Sequence, residues 1–264
     1  MKQTKFTSWS MACALAGGLL LSSCSSEEGG IEIPEGKGAV RLSLTTDAGF
    51  GVNTKAVDEA PYKELSNYKI QLMSGDDVLK TYSYDELKDN AIISYPNGTY
   101  SMRAYYGTDA PASTTGMYVY GEAPFTIKND TATVSLECKP VCAKVTVTFD
   151  KAMDTYFSDY SVAFNSKALG EATFTWGKSA TDPVYMRVEE KEKVNATINL
   201  SVKDGYKVQS TSVPVTYTMS PATLKNISIK PNMAQGSLGL TITINEETTD
   251  KEINIEIPND WVSE

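Results

Sequence analysis

Ala196-Thr197-Ile198-Asn199-Leu200-Ser201-Val202, running into Lys203-Asp204-Gly205, is the stretch from which the fold class is read. Apolar and polar residues alternate with period two, which marks an extended strand with one buried and one solvated face. Asp204-Gly205 then supplies the residues a tight hairpin turn demands. Val213, Val215 and Tyr217 resume the alternation beyond it.

The same pattern recurs in both directions. Upstream it appears at Val40-x-Leu42-x-Leu44, at Tyr68-x-Ile70-x-Leu72, and at Tyr100-x-Met102-x-Ala104 after an Asn97-Gly98 turn. Phe125 and Ile127 precede an Asn129-Asp130 turn, and Ala132, Val134 and Leu136 follow it. Val145, Val147 and Phe149 alternate with Lys144, Thr146 and Thr148, followed by Tyr160-x-Val162-x-Phe164 and Phe174-x-Trp176. Downstream, Leu238, Leu240, Ile242 and Ile244 form the cleanest stripe, with Ile253, Ile255 and Ile257 as its expected partner. Helical periodicity is nearly missing; Tyr84–Leu87 and Met153–Phe157 each suit a single turn. Many short strands at close spacing predict an all-β chain of two tandem β-sandwich domains, residues 38–138 and 139–264. The joint is expected near Cys138 to Ala143.

Residues 1–23 read differently. Lys2 and Lys5 precede the apolar run Met11 to Leu21, too short to span a bilayer, and Leu21-Ser22-Ser23-Cys24 closes it. This ending resembles the bacterial lipobox, in which the cysteine is acylated and becomes the first residue of the mature chain. Two or more acyl chains hold a protein at a bilayer almost permanently. The expected partner of Cys24 is thus the outer membrane. Residues 24–37, rich in Ser, Glu and Gly, read as a tether. Ser25-Ser26-Glu27-Glu28 within it resembles the surface-export signal of Bacteroidetes lipoproteins, which implies a body facing the cell exterior.

Composition excludes several functions. The net charge is −9, or −11 once residues 1–23 with their two lysines are removed, and such a surface repels nucleic acid. Histidine is absent, which rules out a Ser-His-Asp triad, a Cys-His pair and histidine metal sites. No cofactor, metal or catalytic residue is expected. Of four cysteines only Cys138 and Cys142 belong to the folded body. A turn at Pro140 would let them close a small disulfide loop; in extended chain they are too far apart to bridge, and two free, partly buried thiols are expected.

The order and spacing of the motifs carry a resemblance. Gly38-x-Val40-x-Leu42-x-Leu44, Thr54-Lys55-Ala56, Thr81-Tyr82-Ser83-Tyr84-x-Glu86-Leu87 and Pro96-Asn97-Gly98-Thr99-Tyr100 come first. Ala104-Tyr105-x-Gly107, Tyr120-Gly121, Lys144-Val145-Thr146-Val147 and Phe157-Ser158-Asp159-Tyr160 follow. Over residues 38–258 the chain resembles a family of Bacteroidetes surface lipoproteins, catalogued as a domain of unknown function and labelled cell-adhesion or fimbrillin-like. The resemblance implies a fimbrillin-like pair of sandwiches and a role in adhesion or fimbria-like interaction. It also implies cleavage after Lys55, giving an Ala56 N-terminus. The strand Val40 to Leu44 would then leave, and a donor strand from another subunit, Leu238 to Ile244 or Ile253 to Ile257, would take its place.

Two further candidates come from residue chemistry. Tyr105, Tyr106, Tyr118, Tyr120 and Trp176 could form a platform on which host or dietary glycans stack, as in an accessory lipoprotein of a polysaccharide-uptake system. Asp130-Thr131-Ala132 resembles the O-glycosylation signal of exported Bacteroidetes proteins, with Thr131 as acceptor. The acidic clusters, such as Asp85-Glu86 with Asp89, lack calcium-loop spacing and read as solvated loop charge.

Overall fold

Alternation dictates strands here, and strands are what form. The computed structural model describes residues 33–50, 57–203, 210–234, 237–246 and 249–256. The Cys24 acylation signal, the Lys55-Ala56 site, the Asp204-Gly205 turn and Ile257 lie outside the described residues. The first half carries β1 (Lys37–Thr46), β2 (Lys69–Ser74), β3 (Asp77–Ser83), β4 (Ile92–Pro96), β5 (Gly98–Gly107), β6 (Ala112–Ser113), β7 (Tyr118–Ile127) and β8 (Thr131–Pro140). The second carries β9 (Cys142–Phe149), β10 (Phe157–Asn165), β11 (Phe174–Gly177), β12 (Val184–Arg187), β13 (Glu192–Val202), β14 (Ser210–Met219), β15 (Leu224–Ala234), β16 (Ser237–Glu246) and β17 (Thr249–Glu256). Both expected helical turns form. Tyr84–Glu86 is a 3-10 turn closed by a Ser83–Glu86 capping box, and Met153–Tyr156 is a single α-turn.

In the first half seven strands order as β3-β2-β5-β7-β8-β1-β4. β8 passes between the two arms of this sheet. Its end pairs antiparallel with β7, Tyr120 opposite Lys139, while Thr131 to Cys138 run parallel to Ala39–Thr46 of β1. Val40 and Leu44 of β1 and Val134 of β8 meet Ile70, Met102 and Val119 of the other arm in one buried cluster. Asn97-Gly98 is a crossover between the arms rather than a hairpin turn, since β4 pairs with β1 whereas β5 pairs with β2 and β7.

In the second half a four-stranded sheet, β11-β10-β13-β14, and a six-stranded sheet, β17-β16-β15-β9-β12-β6, enclose a second core. The opening stretch of the sequence is β13, and it pairs antiparallel with β14, Ile198 opposite Val213. The halves are stitched together. β6 lies between β5 and β7 in sequence, yet it pairs with β12 of the second half, Ser113 opposite Tyr185. Cys142, Tyr185 and Leu224 pack into the first cluster.

Lys144 departs from the sequence expectation of a solvated polar face. It is fully buried on β9, which is flanked by β12 and β15. Its Nζ lies 2.5 Å from Oε1 of Glu59, which comes from the loop after β1. Phe50 and Tyr185 place their ring centroids 5.8 and 5.7 Å from the ammonium.

Candidate functional site

The outer face of β2, β5 and β7 gathers the chain's most distinctive surface chemistry. Strand alternation sends Ile70, Leu72, Met102, Ala104 and Val119 into the core, so Lys69, Gln71, Arg103, Tyr105, Tyr118 and Tyr120 share the opposite face. Register does the rest. Lys69 faces Tyr105, Tyr105 faces Tyr120, and Tyr120 faces Lys139 in one row. Gln71, Arg103 and Glu122 form the next row. The rings of Tyr118 and Tyr120 stack at 6.1 Å and 27°, and Tyr105 lies 6.0 Å from Tyr118. All three rings are half-buried.

Gly107 sits opposite Tyr118 at the end of β5, with φ +92°. A Cβ there would lie 2.0 Å from the Met117 carbonyl oxygen, so only glycine permits this close approach. An open depression of about 450 Å³ fronts the rings, lined by Gln71, Arg103, Tyr105, Asp109, Tyr118 and Tyr120 among others.

Hydrogen bonds fix the polar frame. Arg103 Nε donates to Gln71 Oε1 at 2.8 Å, and Gln71 Nε2 donates to Thr81 Oγ1 at 3.2 Å. Ser101 Oγ donates to Glu122 Oε1 at 2.6 Å, and the Tyr120 hydroxyl donates to Glu122 Oε2. These two donors hold the Glu122 carboxyl below its usual range. Burial, aided by the Glu122 carboxylate, pushes the Tyr120 phenol up to about 12. At neutral pH the site therefore presents an ionised carboxylate with one hydrogen bond to each oxygen, and a protonated phenol. Asp109 at the rim is ion-paired with Arg187 of β12.

Two members of the predicted platform belong elsewhere. Tyr106 follows Tyr105 on the same strand and so faces the other way; its ring packs 4.9 Å from Tyr62 and 5.8 Å from Tyr68. Trp176 is 1% exposed in the second core, so no sugar can stack on it. Arg103, Gln71 and Glu122 were missed. Parity could have found them, since Arg103 lies two residues before Tyr105 and Glu122 two after Tyr120.

Thr131 is exposed at the first position of β8, after a turn in which Asn129 takes φ +54°. Its N–H donates to Asp130 Oδ1 at 2.6 Å. Cys138 and Cys142 are free and buried, and burial pushes both thiols up to about 12, so they stay protonated at neutral pH. Among the described residues no three His, Cys, Asp or Glu gather as a metal site, and no helix is long and apolar enough to cross a membrane.

A family model described as a domain of unknown function, DUF4493, matches residues 36–259. The chain belongs to the DUF4493 family. The DUF4493 fold is similar to a Bacteroides ovatus structure labelled an adhesin, with TM-score 0.50 and 9% identity over 82% of this chain and 95% of that one. It is also similar to a fimbrial assembly protein from Parabacteroides distasonis (TM-score 0.40, 14% identity, 82% and 98% of the two chains). A third structure, labelled polysaccharide-binding, from Bacteroides thetaiotaomicron gives TM-score 0.42 and 13% identity over 86% and 100%. No curated protein matches the DUF4493 chain.

Proposed function

We propose that this chain is a non-catalytic, cell-surface adhesion protein that recognises carbohydrate through the Tyr105–Tyr118–Tyr120 face, held at the outer membrane by an acylated Cys24. The observation that carries the reading is three half-buried rings on adjacent strands, bordered by fixed donors and acceptors and fronted by an open depression. Aromatic faces take the apolar faces of sugar rings, and a few positioned polar groups orient the hydroxyls. The test is a glycan array probed with the detergent-purified full-length chain. Binding is expected, and Tyr118→Ala should weaken it about tenfold or more without changing the melting temperature. An array with no bound glycan overturns the carbohydrate reading.

A second reading, a fimbria-like subunit that exchanges strands, rests on β1. This strand is held between β8 and β4, it buries Val40 and Leu44, and its continuation buries Ala48 and Phe50. Its loss after cleavage at Lys55 would open an apolar groove with two unpaired strand edges, which strand addition would refill. Among the described residues β16 is paired on both sides and β17 on one only, which makes β17 the donor this reading favours. Mass spectrometry of the N-terminus of native outer-membrane material separates the readings. An acylated Cys24 start supports the tethered adhesin, and an Ala56 start with multimers on an unboiled gel supports the polymerising subunit.

A further inference from the structure

We infer that the ligand of the tyrosine face is an anionic polysaccharide whose uronic-acid carboxylates are read by Arg103 and Lys69. The inference rests on the carbohydrate reading of that face and names its ligand class.

Two cations share the face that carries Tyr105. Lys69 stands directly across from Tyr105 on β2, and Arg103 precedes Tyr105 by two residues on the same face of β5. Among the described residues, neither has a carboxylate within ion-pair distance, although the chain as a whole carries a net charge of −9. Most of the neighbouring charges are already paired. Asp109 pairs with Arg187 and Lys139 pairs with Glu137 at 2.8 Å, whereas Glu122 accepts only from the neutral Ser101 and Tyr120 hydroxyls and keeps its charge. Glu122 stands directly across from Arg103 and its charge offsets one of the two cations, so one net positive charge remains around Tyr105.

The guanidinium is also oriented. The Gln71 amide oxygen accepts from Arg103 Nε and is itself fixed through Thr81, while Arg103 lines the depression. The two terminal amino groups then form the free side of the fork, the geometry that grips a carboxylate with two parallel hydrogen bonds. Arginine is scarce here: the chain has only Arg41, Arg103 and Arg187, and two of these three border the tyrosine face. A neutral sugar offers such a fork only uncharged hydroxyl and carbonyl oxygens, which accept more weakly than a carboxylate. A uronate places a carboxylate on the rim of a ring whose apolar face can lie on Tyr105.

The test uses the detergent-purified full-length chain with polygalacturonate, alginate and hyaluronan, each beside its carboxyl-reduced neutral counterpart, and with dextran sulfate. At least one carboxylated chain should bind about tenfold or more tightly than its reduced form, and binding should weaken as salt rises to about 0.5 M. Arg103→Gln should lose about tenfold for the acidic chain with an unchanged melting temperature. Arg103→Lys, which keeps the charge without the fork, should recover only part of that loss. Equal binding of acidic and reduced chains would overturn the inference and leave the carbohydrate reading standing. Dextran sulfate binding as tightly as the uronates would also overturn it, by showing a generic polyanion surface. Binding to none of these chains, with neutral glycans bound on the array, would overturn it as well, while an array empty of all glycans removes the parent reading.

Discussion

Replacing Lys144 by methionine is expected to lower the unfolding free energy by about 3–5 kcal/mol, while the double replacement Lys144→Met with Glu59→Leu recovers most of the loss. The cause is the isolation of a charge. Glu59 sits 9% exposed, with Lys144 Nζ at 2.5 Å and the Tyr185 hydroxyl donating to the same oxygen at 3.1 Å. Burial, aided by the Glu59 carboxylate, pushes the Tyr185 phenol far above its ordinary range. Without the ammonium, the carboxylate faces a neutral phenol and the Phe50 and Tyr185 rings, with little water to solvate it. Removing both charges leaves an apolar site that methionine and leucine can fill. Urea unfolding of the wild type, the two single variants and the double variant measures the coupling directly. A Lys144→Met variant within about 1 kcal/mol of wild type would show that the pair is well solvated and that the reading is wrong.

Trp176→Ala is the second large effect, about 3–5 kcal/mol from lost burial and the cavity left behind. Trp176 lies on the short strand β11 opposite Val162 of β10, inside the second core. Its Nε1 has no acceptor among the described residues. Trp176→Phe therefore removes a polar group along with part of the volume, and it should cost only about 1 kcal/mol. Thermal unfolding of the two variants distinguishes these outcomes. Equal losses would mean that the indole N–H contributes to stability after all.

Trp176 also shows where sequence reading stops. Alternation put Phe174 and Trp176 on one face correctly, but it cannot say whether that face meets solvent or another sheet. Lys144 fails for the same reason. It reads as the polar side of β9, yet neighbouring strands and the Glu59 loop cover that side too. By contrast, Ile198, Leu200, Leu240 and Ile242 lie in the core as their period implies. Partner choice was illegible: nothing in Val40-x-Leu42-x-Leu44 announces a parallel ladder with residues some ninety positions later. Nor does a two-residue segment such as Ala112-Ser113 carry enough pattern to reveal that it joins a distant sheet. The separation of Tyr105 from Tyr106 was legible, because adjacent strand residues point to opposite faces. The Lys69–Tyr105–Tyr120–Lys139 row was not, because it exists only once three registers are set.

The parallel pairing of β1 with β8 has a mechanical consequence. In a chain anchored through its N-terminus, as proposed, tension between the envelope and a bound ligand enters the body at the N-terminal end of β1. A pull along the strand axis loads its ladders to β8 on one side and β4 on the other in shear. Many hydrogen bonds must yield together instead of unzipping singly, and the rate of forced rupture is set by that concerted barrier rather than by equilibrium stability. The strand nearest the anchor would serve as a force clamp, suited to a protein that holds on under flow.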